Sequence, residues 1–226
     1  MNHPSDPVPG TPLVSIPQTM SIDRNELRRQ MRAQRRALTP SQRTKVGIGI
    51  ARVISRLHLL RPGRRIGAYL AHAGEADLAT TLKLAQSRRC RIYLPAITHR
   101  RSNRMEFVRF EPRSQLRRNL FGIAEPDVRR ARRIAARELD LILVPLVAVD
   151  PWGTRLGSGA GFYDRRLHRL RADRHWRRPR LIGIAYEFQR VTRLTPQPWD
   201  VPLDAVITDR GCYPALRHEP TTQRSS

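Results

Sequence analysis

The sequence predicts an α/β fold, a single three-layer domain with a mainly parallel central sheet flanked by helices. Three observations lead there. Short apolar segments alternate with stretches of helical periodicity, the order that parallel strands joined by crossover helices require. The run from Asp140 to Val149, DLILVPLVAV, is apolar almost throughout, as a strand buried on both faces must be. The chain has 226 residues, enough for one such domain with a real core at about 150 residues per domain.

The elements follow in order. Asp23 and Glu26 read as a capping box opening the helix RNELRRQMRAQRRAL, with Leu27, Met31 and Leu38 as its apolar positions. Thr39 and Gln42 form a second box, with Pro40 at the first helical position. Val46, Ile50, Val53, Ile54 and Leu57 continue that helix until Arg61-Pro62-Gly63 ends it. Arg65 to Leu70, RIGAYL, reads as a buried strand, and the loop AHAGEAD leads into a helix around Leu78 to Ala85. RIYLPAI is a strand stopped by Pro95, and Met105 to Phe110 alternates like an edge or one-face strand. Asp140 to Val149 is the central strand, each large side chain contributing roughly 1.5–3 kcal/mol on burial. A glycine-rich loop follows, then a helix over Tyr163 to Leu170, then strands at Leu181 to Glu187 and Asp204 to Asp209. No internal repeat interrupts this order.

Composition excludes several classes. There is no apolar run near ~18 residues, so no membrane span is expected. The first twenty residues are polar, hold five of the eighteen prolines and lack the apolar core of a signal peptide. They read as a disordered leader, residues 1–20, before a domain at 21–216 and a disordered tail at 217–226, in a cytoplasmic protein. Cys90 and Cys212 lie too far apart for a disulfide framework or zinc-ligand spacing. The seven histidines form no HxxxH pair, so a histidine-rich metal site is not expected. The net charge of +24 points to anionic partners. It is almost entirely arginine, with lysine only at Lys45 and Lys83, and is spread along the chain. GC-rich codons alone produce such a bias, so a nucleic-acid role is not expected, although the positive field suits small anions.

The chemistry is expected at DPWGTRLGSGAGFYDRRL, Asp150 to Leu167. This segment leaves the central strand at its carboxyl end, where open α/β sheets bind ligands. Gly157, Gly159 and Gly161 allow close backbone approach and positive φ. The loop then enters a helix, whose free N-terminal amides and dipole suit phosphate. Arg155 is placed to add a charge-assisted contact to a phosphoryl oxygen, and Asp164 to hold magnesium. Spacing alone is equally satisfied by a flexible turn. It matches neither a P-loop nor the dinucleotide fingerprint.

RLGSGAGFYDR resembles the signature loop of the 5-formyltetrahydrofolate cyclo-ligases, also called methenyltetrahydrofolate synthetases, whose pattern is close to RLGxGxGYYD. Pro145, Val149-Asp150 and Gly153 stand where the family has its strand proline and F-D-x-x-G turn. RNELRRQMRAQRRAL, YLAHAGEADLATTL, FGIAEPD and PWDVPLDAVITD agree with further family motifs in order and spacing, from about Arg24 to Gly211. There are departures. Ser158 and Ala160 occupy variable loop positions, Phe162 replaces a more usual tyrosine, Leu146 a frequent glycine and Leu78 a frequent threonine. Phe162 lacks the tyrosine hydroxyl and so offers no hydrogen bond from its side chain.

The resemblance implies roles residue by residue. Arg24, Asn25, Glu26, Leu27 and Arg28 would bind ATP, with Arg24 and Arg28 on one helical face. Arg155, Gly157, Ser158, Gly159, Ala160, Gly161, Phe162 and Tyr163 would complete the nucleotide site. Glu75 would accept the N–H donors of the pterin ring, with Leu70 as an apolar wall nearby. Asp164 and Asp200 would hold Mg2+, and Arg155 and Asp164 would be catalytic. Glu125-Pro126 would line the folate cleft, and Trp199 would be core or cleft wall. As plain sequence, the first helix is a solvated basic face, Glu75 a surface acid, Leu70 a core leucine, Asp164 a first-turn acid and Asp200 a turn cap. The implied reaction converts 5-formyltetrahydrofolate to 5,10-methenyltetrahydrofolate with ATP as co-substrate; a monomer is expected, with an oligomer left open. Two other readings fit the residues alone. One is a sugar-phosphate isomerase or CoA-transferase relative on a related scaffold, and the other an arginine-rich RNA-binding protein.

Overall fold

The structure is a computed structural model that describes residues 23–99, 104–119, 122–127, 132–159, 161–171 and 179–216. The expected leader and tail, and Ala160, lie outside the described residues.

Five strands form the parallel heart of one sheet. They are β1 (Arg65–Gly67), β2 (Arg91–His99), β7 (Leu141–Pro145), β10 (Arg180–Ile184) and β11 (Ala205–Ile207). Antiparallel β3 (Arg104–Phe110) and β6 (Arg133–Ile134) extend one edge, and β12 (Cys212–Pro214) extends the other. The order is β12-β11-β10-β7-β1-β2-β3-β6. The mainly parallel α/β fold is as expected, while its antiparallel rims at β6 and β12 were not.

Alternation along β7 sets the three layers. Leu141 and Leu143 pack on one face with Ile50, Val53, Ile54 and Leu82, from α2 (Pro40–Arg56) and α3 (Ala79–Ser87). Ile142 and Val144 pack on the other with Leu167 of α4 (Phe162–Arg171). All four β7 side chains are completely buried, which is why the strand reads as an unbroken apolar run. The first helix, α1 (Arg24–Ala37), joins neither layer. Its Leu27 and Met31 pack with Val147, Ala148 and Leu156 beyond the end of β7.

Several expectations change on contact with the structure. The central strand ends at Pro145, and Ala148–Val149 turns into β8, pairing antiparallel with β9 (Arg155–Leu156). β2 runs through Pro95 to His99. Tyr93 accepts from Ala68 on the β1 side, and backbone groups alternate sides, so the absent Pro95 N–H faces the space β1 has already left. β1 itself ends at Gly67, short of Leu70. α2 ends at Arg56, because His58 turns left-handed at φ 51°. Leu57 is thereby exposed, and Leu59 and Leu60 enter the core in its place.

Of the two expected capping boxes, the one at Thr39 and Gln42 forms with both bonds. At α1, Asp23 accepts from the Asn25 amide, but Glu26 turns to Arg29 and Gln30. The third buried position of α1 is Arg35, while Leu38 caps the helix half-buried.

Gly153 anchors the turn between β8 and β9. Its φ is +79°, and an added Cβ would lie 2.5 Å from the Leu203 carbonyl oxygen. Gly153→Ala is therefore expected to cost about 2 kcal/mol or more, read as a lowered midpoint in chemical denaturation.

Candidate active site

Connectivity opens a crevice between β1 and β7. The chain leaves β1 for β2 through α3 on one face and leaves β7 for β10 through α4 on the other. Adjacent strands whose crossovers go to opposite faces splay their exit loops, and ligands bind there.

The loop after β1 is a tight turn. Ala73 and Gly74 both have positive φ, at 49° and 76°, and the Glu75 amide donates to the His72 carbonyl at 3.1 Å. The Tyr69 hydroxyl donates to the Ala76 carbonyl at 2.8 Å, and the Tyr186 hydroxyl to that of Glu75 at 3.3 Å. These bonds hold the turn and leave the Glu75 side chain lining an inner cleft. Burial pushes its carboxyl up from the usual glutamate range, opposed by the His72 amide and the Arg35 charge.

The inner cleft is mostly apolar. Leu70, Leu94, Pro95, Ile97 and Met105 line one side, and Pro145, Leu146, Val147 and Phe162 the other. A hairpin of β4 (Leu116–Arg118) and β5 (Ala124–Pro126) brings in Asn119, Ile123 and Glu125. Glu125 is braced by the Ile97 amide at 3.0 Å and the Asn119 side-chain amide at 3.1 Å. Glu125 thus faces the cleft as its motif suggested, while Asn119 and Ile123 sat just before the acid without being singled out.

Tyr163 also faces this cleft, and its hydroxyl is buried without a hydrogen-bond partner among the described residues. Burial raises the proton affinity of Tyr163 and Tyr69 far above the ordinary tyrosine range. Both remain hydrogen-bond donors and neither is a base near neutral pH.

After β7 the hairpin of β8 and β9 leads to the glycine loop. Asp150 secures it, accepting from the Trp152 and Thr154 amides at 3.0 and 2.9 Å and from the Leu194 amide at 3.1 Å. Arg155 is 3% exposed and spends its guanidinium on two partners. It donates to the Val201 carbonyl at 2.7 Å and to Asp164 at 2.6 Å. Gly159 and Gly161 have positive φ, 107° and 64°. Gly157 does not have the positive φ expected of it. An added Cβ there meets nothing within 4 Å, so its value is clearance toward both clefts.

An outer cleft lies on the far side of this loop. Arg24, Arg28, Arg165 and His168 line it, with Asp164, Trp199 and Asp200. Gly157, Gly161 and Asp164 line both clefts, so the loop is their common wall.

The structure sorts the first helix by face. Arg24 binds Asp200 at 3.2 Å, and Arg28 donates to the Gly157 carbonyl at 3.0 Å. Asn25 braces Arg28 at 2.8 Å, while Leu27 packs in the core. Arg32 holds the Ser158 carbonyl at 2.8 Å, a contact one turn past Arg28 that helical spacing could have indicated. Trp199 is a cleft wall, 59% exposed. No helix among the described residues is long and apolar enough to cross a membrane.

Comparison with known proteins shows the family and the fold. The profile of the 5-formyltetrahydrofolate cyclo-ligase family matches residues 20–209. A 5-formyltetrahydrofolate cyclo-ligase of Escherichia coli K12 is 32% identical over 178 residues, 79% of this chain and 96% of the relative. One from Haemophilus influenzae is 31% identical over 186 residues, 81% of this chain and 96% of the relative. The structure of Aquifex aeolicus 5,10-methenyltetrahydrofolate synthetase superposes with a TM-score of 0.72 at 26% identity, covering 89% of this chain and 99% of that one. With a signature loop that forms the wall between two clefts, and a family profile matched over most of its length, this chain belongs to the 5-formyltetrahydrofolate cyclo-ligase family of enzymes.

Proposed function

We propose that the enzyme converts 5-formyltetrahydrofolate to 5,10-methenyltetrahydrofolate, with ATP as co-substrate and magnesium as cofactor. The observation that carries this reading is the shared wall. An apolar cleft with a half-buried acid suits a pterin, a basic cleft suits a triphosphate, and the glycine loop is their common wall.

In this reading Glu75 accepts the pterin N–H donors, and Leu70, Leu146 and Phe162 cover the ring. Arg24, Arg28 and the glycine-loop amides receive the phosphates. The formyl oxygen attacks the γ-phosphorus as ADP leaves. The 10-nitrogen then attacks the activated carbon and gives up its proton, and phosphate departs to leave the methenyl bridge. The protein's share is alignment and charge neutralisation.

Magnesium fits the residues present. Asp164 and Asp200 both line the outer cleft and offer hard oxygen donors, and no group of three or more His, Cys, Asp or Glu side chains suited to a metal occurs among the described residues. Two carboxylates with substrate phosphates and water are the usual magnesium donor set. When bound, the ion neutralises phosphate charge. Arg155 and Arg24 hold the two carboxylates in place.

The test mixes protein, 5-formyltetrahydrofolate, ATP and magnesium, and follows methenyl absorbance with each component omitted in turn. Product only in the complete mixture supports the reading. Turnover of a sugar phosphate or acyl-CoA without ATP would overturn it.

Glu75→Gln is expected to raise the folate KM roughly 10- to 100-fold, the worth of one charge-assisted bond. The fold favours the protonated acid, so this group's stabilising contribution is present at low pH and lost as pH rises through its raised pKa. Folate binding needs the carboxylate. Wild-type kcat/KM therefore falls as pH drops through that raised value, and in Glu75→Gln this acid limb disappears from the pH profile.

A further inference from the structure

The apolar stripe of α1 contains a cation. Arg35 stands four residues after Met31, at 4% exposure, where a leucine would complete the pattern. Burying a charge is costly unless something compensates it. Arg35 donates through Nη2 to the Leu146 carbonyl, which also accepts from the buried Gln189 side chain at 3.0 Å. Its Nε has no hydrogen-bond partner, and no carboxylate pairs with it directly, among the described residues. What packs on it is the turn after β1, where an added Cβ at Gly74 would sit 3.4 Å from the Arg35 Cβ. The next residue is Glu75.

We propose that Arg35 is a positioning residue of the inner cleft, whose buried charge lets Glu75 carry its own charge there while its guanidinium fixes the Leu146 peptide in the cleft wall. This rests on the reading of Glu75 as the folate-binding acid. The groups facing Glu75 leave few other sources of positive charge. They are Arg35 from α1, Tyr69 after β1, Tyr163 from α4, Tyr186 after β10 and the His72 amide. Burial raises all three tyrosines, so they stay neutral near neutral pH. Arg155 faces Tyr163, Arg43 and Asp77 face Tyr186, and Arg32 faces Arg35. Burial lowers Arg35 from its ordinary value, yet a guanidinium does not deprotonate in proteins, which is why lysine would be a less secure choice.

Two substitutions differ in whether they keep the charge. Arg35→Gln removes the charge and ends near the position of Nε, short of the Leu146 carbonyl, whereas Arg35→Lys keeps the charge and loses the planar fork. Arg35→Met replaces Arg35→Gln if the latter does not fold, since an apolar side chain suits a buried site. The readout is kcat/KM for 5-formyltetrahydrofolate against pH, with the ATP KM measured alongside. Arg35→Gln is expected to move the acid limb upward by about one pH unit, and so to raise the folate KM about tenfold below it. The ATP KM stays within twofold and Arg35→Lys keeps the wild-type limb. In Arg35→Gln/Glu75→Gln the limb is absent, as in Glu75→Gln alone. A limb that stays put in folded Arg35→Gln or Arg35→Met, or that moves equally in Arg35→Lys, overturns the proposal. A normal folate KM in Glu75→Gln would instead overturn the reading of Glu75.

Discussion

Asp164→Asn lowers turnover by roughly 100-fold or more in a protein that still folds. The carboxylate stands in the first turn of α4, faces both clefts and accepts the 2.6 Å bond from Arg155. Asparagine keeps an oxygen for Arg155 but drops the negative charge. Three consequences follow. A hard-cation ligand is weakened, Arg155 is left without its counter-charge, and the helix loses a favourable first-turn acid. The check is kcat at saturating substrates together with a magnesium titration. The magnesium concentration for half-maximal rate should rise in the variant. Near-normal turnover in folded protein would remove Asp164 from the catalytic site.

Arg155→Ala has the second large effect, and it falls on stability as well as rate. Removing this side chain leaves the Asp164 carboxylate and the buried Val201 carbonyl without their shared donor. Breaking a buried pair from one side costs about 3–5 kcal/mol, a large part of a typical total of about 5–15 kcal/mol. Arg155→Lys divides the two roles. Lysine restores a charge but reaches one partner at a time, because its ammonium is a point and the guanidinium is a fork. The expected result is recovery of most of the denaturation midpoint with turnover still down roughly 100-fold. Full recovery of turnover by lysine would mean that Arg155 acts through charge alone.

The layout of this protein was legible in its residues to different depths. The strand at Leu141–Pro145 was readable because burial on both faces demands an unbroken apolar run. The end of that strand was not readable, since Leu146 to Val149 is equally apolar. Val147 and Ala148 are buried by α1, Leu156 and Val191, whereas Leu146 and Val149 stay in the layer that α4 covers. Pro95 misled for a related reason. A missing N–H matters only on the side where a neighbour waits, and the neighbour's length is a property of the sheet. The edge strand β12 (Cys212–Pro214) carries little apolar pattern, and its pairing with β11 is decided by the sheet edge already present.

The site divides in the same way. Glycines followed by an aromatic pair and an acid, after an apolar strand, are a local pattern, and local patterns survive in one dimension. They pointed to the loop and Asp164, and the family resemblance joined the basic helix, Glu75 and Asp200 to them. The sequence by itself determined the fold class, the family and the chemical types at the site. Only the tertiary structure decided which of the many arginines line the outer cleft, which grip the loop and which is buried against the turn that carries Glu75. Arg24, Arg28, Arg32 and Arg35 follow one another at helical spacing and are alike as letters. Their partners, Asp200, Gly157, Ser158 and Leu146, lie more than a hundred residues away. A side chain's electrostatic role depends on what is close in space, and that is settled when the sheet assembles.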